Sequence, residues 1–119
     1  MKKISATLLF IFIAAVVTAQ TTIKPEDVSK HIGDSVTVCG KVYGMRFFEH
    51  SKNKPTLLNI GAKHPDQLLT VVIWENVRAM FTTKPEDLQD KEICITGRIS
   101  LYKEKAQIVI DRPEQIALK

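Results

Sequence analysis

Along "SVTVCGKVYG" the chain alternates: Val36, Val38 and Val42 fall on one side, Thr37, Cys39 and Lys41 on the other. A period of two predicts a half-buried strand from Ser35 to Gly44. Four further segments read the same way: "TLLNI", the apolar and β-branched "LLTVVIW", "KEICITGRISLY" and "QIVIDRP". Between the third and fourth, "NVRAMF" spaces Val77, Met80 and Phe81 as one stripe of a short helix. Ahead of the first, "TTIKPEDVSKHIG" reads as a helical turn, with Pro25 at its start, Glu26 and Asp27 at the positive end of its dipole, Gly33 as its stop, and Val28 and Ile32 on a shared face. "EQIALK" is left as a tail. Strand, strand, strand, helix, strand, strand is the order of a small closed all-β barrel, in which closure removes the edges that five short strands would expose.

Two connections carry unusual composition. "MRFFEHSKNKP" is basic and aromatic, and "KEKA" is a polar hairpin. In "LLNIGAKHPDQ", Asn59 and Gly61 read as strand-closing residues that supply local hydrogen bonds and a positive φ, with Pro65 continuing the turn. No ligand is assigned to them. The chain also rhymes with itself, since "KPEDVSKHIGDSVTVCGKVYG" and "KPEDLQDKEICITGRISLY" share a Pro-led turn, an alternating run and a Gly followed by a basic residue. Nothing like "LLNIGAKHP" or "TVVIW" follows the second copy, which argues against a tandem duplication.

The N-terminus changes the charge balance. Lys2 and Lys3 precede an apolar run from Ala6 to Val17 ending in "VTAQ", the pattern of a secretory signal peptide, with Val17 and Ala19 at the small-residue positions before the cut. Residues 1–19 are therefore expected to be removed, leaving one domain over 20–119, periplasmic or secreted; about twelve apolar residues fall short of the roughly twenty that span a bilayer. Without Lys2 and Lys3 the 17 Lys and Arg fall to 15 against 13 Asp and Glu, so a formal +4 becomes +2. Net charge alone thus gives little support to polyanion binding. Export permits a disulfide between the two cysteines, Cys39 and Cys94. His31, His50 and His64 have no metal-ligand spacing to each other or to the cysteines, so no metal and no cofactor is expected.

"IGDSVTVCGKVYG", "LLNIGAKHPDQLLTVVIW" and "ICITGRISLY...AQIVIDRPEQI" together resemble the small exported OB-fold proteins of bacteria grouped as nucleic-acid-binding or tRNA anticodon-binding-like domains. The resemblance implies a five-stranded Greek-key barrel with a short helix between strands three and four. It also implies that strands one and four are antiparallel neighbours, which makes the rhyme geometric: Gly40 and Gly97 would sit where curved neighbouring strands bend. Cys39 and Cys94 would then both face outward on adjacent strands, as a bridge or as two half-buried thiols, since a slip of one residue turns either away.

In that fold, extended polymers lie across strands two and three between the loop joining strands one and two and the loop joining four and five. Here the first loop holds Arg46, Phe47, Phe48, His50, Lys52 and Lys54, and the second Tyr102, Lys103, Glu104 and Lys105. Cations interleaved with aromatics suit single-stranded nucleic acid, charges following phosphates and rings stacking on bases. One of Phe47 and Phe48 is expected inside the barrel and the other partly out, and the lysines also serve simply to keep loop tips solvated. Trp74, ending the third strand, either faces solvent or packs on the helix. No nucleophile elbow, phosphate-cradling Gly-rich loop, paired His or Cys–His spacing is present, so catalysis is not expected. Asp66, Glu75, Asp87 and Asp90 read as turn and cap residues. The two functions in view are an exported module for single-stranded nucleic acid and an envelope interaction or stress protein that binds a protein, cation or glycan.

Overall fold

The computed structural model describes residues 21–119. The expected signal peptide and its cleavage after Ala19 lie outside the described residues. The strands are β1 (Thr22–Ile23), β2 (Ser35–Phe47), β3 (Thr56–Ile60), β4 (Leu69–Ile73), β5 (Glu92–Arg98), β6 (Ser100–Tyr102), β7 (Lys105–Val109) and β8 (Ile116–Leu118); a single α-helical turn, α1 (Glu75–Arg78), follows β4.

Five staves make the barrel, because β5 and β6 are one strand interrupted at Ile99. Pairing runs β6-β7-β4-β3-β2-β5, and the chain itself joins β5 to β6 and closes the ring. β2 pairs antiparallel with β5 from Ser35↔Arg98 to Lys41↔Glu92, and β4 pairs parallel with β7. This is the OB topology.

Alternation decides what goes inside. Val36, Val38, Val42, Leu58, Ile60, Leu69, Val71, Ile73, Ile93, Ile95 and Ile108 all point inward and are buried. Gly40 continues the inward row of β2, and a Cβ there would stand 2.6 Å from the Pro25 side chain and 3.0 Å from Ile60. At Gly97 a Cβ would come within 2.7 Å of Ile108. Both glycines are therefore required by the tightness of the barrel rather than by backbone conformation.

The rhyming turns are two 3-10 helices, Pro25–Lys30 and Pro85–Leu88, each with its proline at the start and buried. A proline suits the first helical position, where an N–H has no partner to lose.

Several boundaries differ from the sequence pattern. β2 continues past Gly44 to Phe47, so Arg46 and Phe47 belong to a strand rather than a loop. The register between β2 and β3 shifts between Val42 and Gly44, a bulge that puts Tyr43 and Gly44 on one side and so hides the continuing alternation. The helix stops at Arg78, leaving Met80 57% exposed outside any apolar stripe, and Ile32, beyond the first 3-10 helix, is 39% exposed while Val28 is buried. The tail is a strand: β8 pairs with β5, Ile95↔Ile116 to Ile93↔Leu118, and β1 adds to β2 in parallel. Lys105 opens β7, so the hairpin loop is only Lys103 and Glu104.

Where β7 leaves β5/β6 the ladder is completed by a side chain. Gln115 donates from Nε2 to the Thr96 carbonyl at 2.9 Å and accepts at Oε1 from the backbone N–H groups of Asp111 (2.7 Å) and Arg112 (3.1 Å). One end of the barrel is fastened similarly. Arg78 donates to Thr56 Oγ1 at 2.8 Å and to both Glu86 oxygens at 2.9 and 2.6 Å, with its guanidinium 3.9 Å over the Phe47 ring. Hydrogen bonding from Arg78 holds the Glu86 carboxyl below the usual carboxylate range.

The cysteines are directly opposed, Cys39↔Cys94, and form a disulfide between β2 and β5. Beside it Thr37 and Thr96 share a hydroxyl hydrogen bond of 2.8 Å. This outer side of the barrel is therefore occupied by covalent and polar cross-links, which leaves the outer side of β3 and β4 as the open sheet face.

Candidate nucleic-acid interface

The open face is built in rows set by register. Gly44, Asn59, Thr70, Gln107 and Ser100 form one row, and Arg46, Leu57, Val72 and Val109 form the next. Below the first row stand Lys105 and its partner Tyr102. Above the second the chain enters the 48–55 loop and, past β4, Trp74.

A cleft of about 410 Å³ opens on this face. Tyr43, Gly44, Met45 and Arg46 of β2 form one wall, Leu57 and Asn59 of β3 its floor, and Lys63, His64 and Gln67 of the turn after β3 the far wall, with Phe48 at the loop end. With Val42 inside, alternation already places Tyr43 outward, and the bulge adds Gly44 to the same side and so brings Arg46 outward as well. Gly61, at φ +92°, starts the turn, which crosses a cis His64–Pro65 bond.

Cations stack on aromatics along the same face. The Arg46 guanidinium lies 4.6 Å from the Phe48 ring centre, and Lys41 Nζ 4.9 Å from that of Tyr43. Such pairs present a flat ring and a positive charge together, the two surfaces that a stacked base and its phosphate need.

The residues singled out from sequence divide into two groups. Arg46 and Phe48 border the cleft, whereas Phe47 lies under the Arg78 guanidinium; both phenylalanines are half-buried and neither joins the barrel core, so the expected inside–outside split is not found. Lys52 is exposed at the loop tip, and Lys54 Nζ stands 3.4 Å from Glu75 Oε2, which neutralises part of that loop's charge. Glu49 lies 3.5 Å from His50 in the same loop. Trp74, 38% exposed, sits at the edge of the face beside this loop, its backbone carbonyl accepting from the N–H groups of Val77 and Arg78.

At the opposite end Tyr102 is 60% exposed with Lys103 5.4 Å from its ring centre, and Lys105 donates to the Pro65 carbonyl at 3.4 Å. The two loops therefore do not converge. They flank the face at its two ends, separated by β3, about 16 Å at roughly 3.3 Å per residue.

Both tips hold non-glycine residues at positive φ: Asn53 and Lys54 in one, Lys103 and Glu104 in the other. Lys103 and Glu104 form a two-residue hairpin loop, and positive φ at both is the type I′ conformation in which Asn-Gly is ordinarily found.

Tyr43, Asn59, Lys63, His64 and Gln67 were not singled out as site residues. Asn59 does not close its strand: it is the fourth of five residues in β3 and faces outward, opposite Gly44. Strict alternation through "TLLNI" places Asn59 outside with Leu57, and that was the available signal. The bulge and the fold-back of the turn over β3 had none. Among the described residues no three His, Cys, Asp or Glu side chains gather as a metal-binding group.

Solved structures share this architecture. One chain of the crystal structure of yeast Stn1 and Ten1 is 12% identical, with a TM-score of 0.59, over 84% of this chain and 63% of that one. The OB domain of a Methanosarcina mazei protein is 13% identical with a TM-score of 0.57, over 84% and 83%. A protein described as an aspartyl-tRNA synthetase from Leishmania major is 9% identical with a TM-score of 0.52, over 88% of this chain and 22% of that one. The chain thus spans less than two thirds of the first and about a fifth of the last. At these identities the likeness defines the fold, and the fold is the OB barrel. No protein-family model matches the sequence, and no curated protein matches it.

Proposed function

We propose that this chain is an exported bacterial OB-fold module that binds single-stranded nucleic acid across the outer face of β2, β3 and β4. The observation that carries the reading is Arg46 stacked on Phe48 at the edge of a cleft whose far wall carries Lys63. Phosphates then follow Arg46, Lys63 and Lys105, while bases lie on Phe48, Tyr43 and Tyr102. The Cys39–Cys94 bridge supports export, since such bonds persist in oxidising compartments, and the N-terminal pattern supports a periplasmic or secreted location. No catalytic step belongs to the proposal.

The pairing of Lys54 with Glu75 of α1, together with the acidic Glu49 in the same loop, favours a second reading, a scaffold for a protein, cation or glycan in the envelope. Fluorescence anisotropy with a labelled oligonucleotide separates the two. Affinity is expected to fall steeply with salt, and Arg46→Glu with Lys63→Glu is expected to weaken binding by at least tenfold at 50 mM salt. Lys52→Glu with Lys54→Glu is expected to have the smaller effect, because one of those charges is already paired. Absence of binding at low ionic strength would refute the nucleic-acid reading.

A further inference from the structure

Gly44 differs from the two glycines that the barrel requires. A Cβ at Gly40 or Gly97 would collide with packed side chains, whereas at Gly44 the only atom within 4 Å is Asn59 Nδ2, at 3.6 Å. Gly44 stands at the β2 bulge, where glycine is common, yet neither side-chain packing nor a left-handed backbone forbids a larger residue there. Its effect is to leave the wall of the cleft open directly over the Asn59 amide.

Gln67, across the same cleft, has an unspent acceptor. Its Nε2 donates to Thr70 Oγ1 at 3.2 Å, and Thr70 is the register partner of Asn59. Its Oε1 is buried and accepts no hydrogen bond, alone among buried side-chain N and O atoms of the described residues. Leaving a buried carbonyl unpaired is unfavourable, and a folded chain retains few such groups. A ligand N–H entering the cleft would remove that cost.

We propose that the cleft over Gly44 is a nucleobase pocket, which gives the interface a preference for bases bearing an exocyclic amine over thymine or uracil; the proposal rests on the nucleic-acid reading above. Asn59 and Gln67 supply polar side chains to its lining, with Tyr43 and Phe48 beside them. Asn59 is buried and Gln67 Oε1 is closed to solvent in the unliganded chain, so a base reaches that acceptor only as the Gln67 side chain turns outward. Amides of this kind pair with base edges through one donor and one acceptor. A recessed acceptor selects for a protruding donor. On adenine, cytosine and guanine an amine projects beyond the ring, whereas the N–H of thymine or uracil lies between two carbonyl oxygens that Oε1 repels. Phosphate contacts cannot make this distinction, so base preference is a separate property of the pocket.

Anisotropy titrations with ten-nucleotide dA, dC and dT homopolymers at 50 mM salt test it. The dA and dC strands are expected to bind roughly tenfold more tightly than dT, the equivalent of about 1.4 kcal/mol. Gln67→Leu removes the acceptor and Gly44→Val fills the space. Each is expected to bring the three affinities within about twofold, with the salt slope of the remaining binding unchanged. Gln67→Leu is also expected to keep or raise the melting temperature, since it deletes an unpaired buried polar atom; a merely structural Gln67 would lose stability instead. Equal or tighter binding of dT by the unaltered protein, or a preference that survives both variants, overturns the pocket while leaving the interface standing. Failure of all three strands to bind overturns the interface and the pocket with it.

Discussion

Replacing Cys39 and Cys94 together by alanine is expected to lower the unfolding free energy by about 4 kcal/mol. The bridge closes a loop with a sequence separation of 55, and the chain-entropy estimate for a loop of that size is about 4 kcal/mol. The crosslink spans Cys39↔Cys94 within an already paired antiparallel ladder, so alanine removes the constraint without undoing the register around it. Domains of this size have a total stability of roughly 5 to 15 kcal/mol, so the loss would be a large fraction of the whole. Urea denaturation provides the check: at a slope of about 1.5 kcal/mol/M the midpoint should fall by 2 to 3 M, and the reduced native protein should superimpose on the variant. A loss under about 1 kcal/mol would show that residual structure in the unfolded chain already provides the constraint.

Arg78→Ala is expected to cost about 3 kcal/mol, although Arg78 lies near the surface of a four-residue helix. The ion pair is the smaller part, because the Glu86 side chain is 37% exposed and water screens it. More comes from the guanidinium over Phe47 and from Thr56, a fully buried residue whose hydroxyl is left without its Arg78 donor. Acid should reduce the effect. The Glu86 carboxyl titrates lower in the folded state than in the unfolded chain, so its contribution is complete above the ordinary carboxylate range, about pH 4.3, and disappears as pH falls through the lowered value. Denaturation at pH 7 and at pH 3 should show the gap between native and Glu86→Gln proteins closing at the lower pH. A gap independent of pH would place the role of Glu86 in packing rather than charge.

The barrel was legible wherever alternation ran unbroken. Val36, Val38, Ile93 and Ile95 specify inward faces on two strands, and with them the outward positions of both cysteines, because side chains on a strand cannot change sides without a bulge or a slip. The limits appear at Tyr43 and Gly44. A bulge there reverses parity, so Arg46 and Phe47 look like loop residues although they lie on the strand. Short segments were read poorly for a similar reason. Three residues at Ile116–Leu118 have no period of their own and become a strand only because the edge of β5 is available to pair.

The site was harder to read than the fold. Charge and aromaticity drew attention to the two loop tips, but ion pairing, not composition, decides which charges are available, and Lys54 shows the difference. Arg78, Thr56 and Glu86 converge from three separate elements, with Thr56 22 positions and Glu86 8 positions from Arg78, a meeting that no helical or strand period encodes. The cleft likewise depends on the 61–68 turn folding back over β3, where the Leu68 N–H donates to the Ile60 carbonyl at 3.0 Å.

Nuclear magnetic resonance titration of the uniformly ¹⁵N-labelled protein with a short single-stranded oligonucleotide tests the proposed interface most directly. Amide shifts should concentrate at Gly44, Arg46, Leu57, Asn59 and Lys63, with none at Thr37, Cys39, Cys94 or Ala117 on the opposite wall. Perturbations centred on the disulfide side, or a spectrum that the oligonucleotide leaves unchanged at low salt, would contradict it.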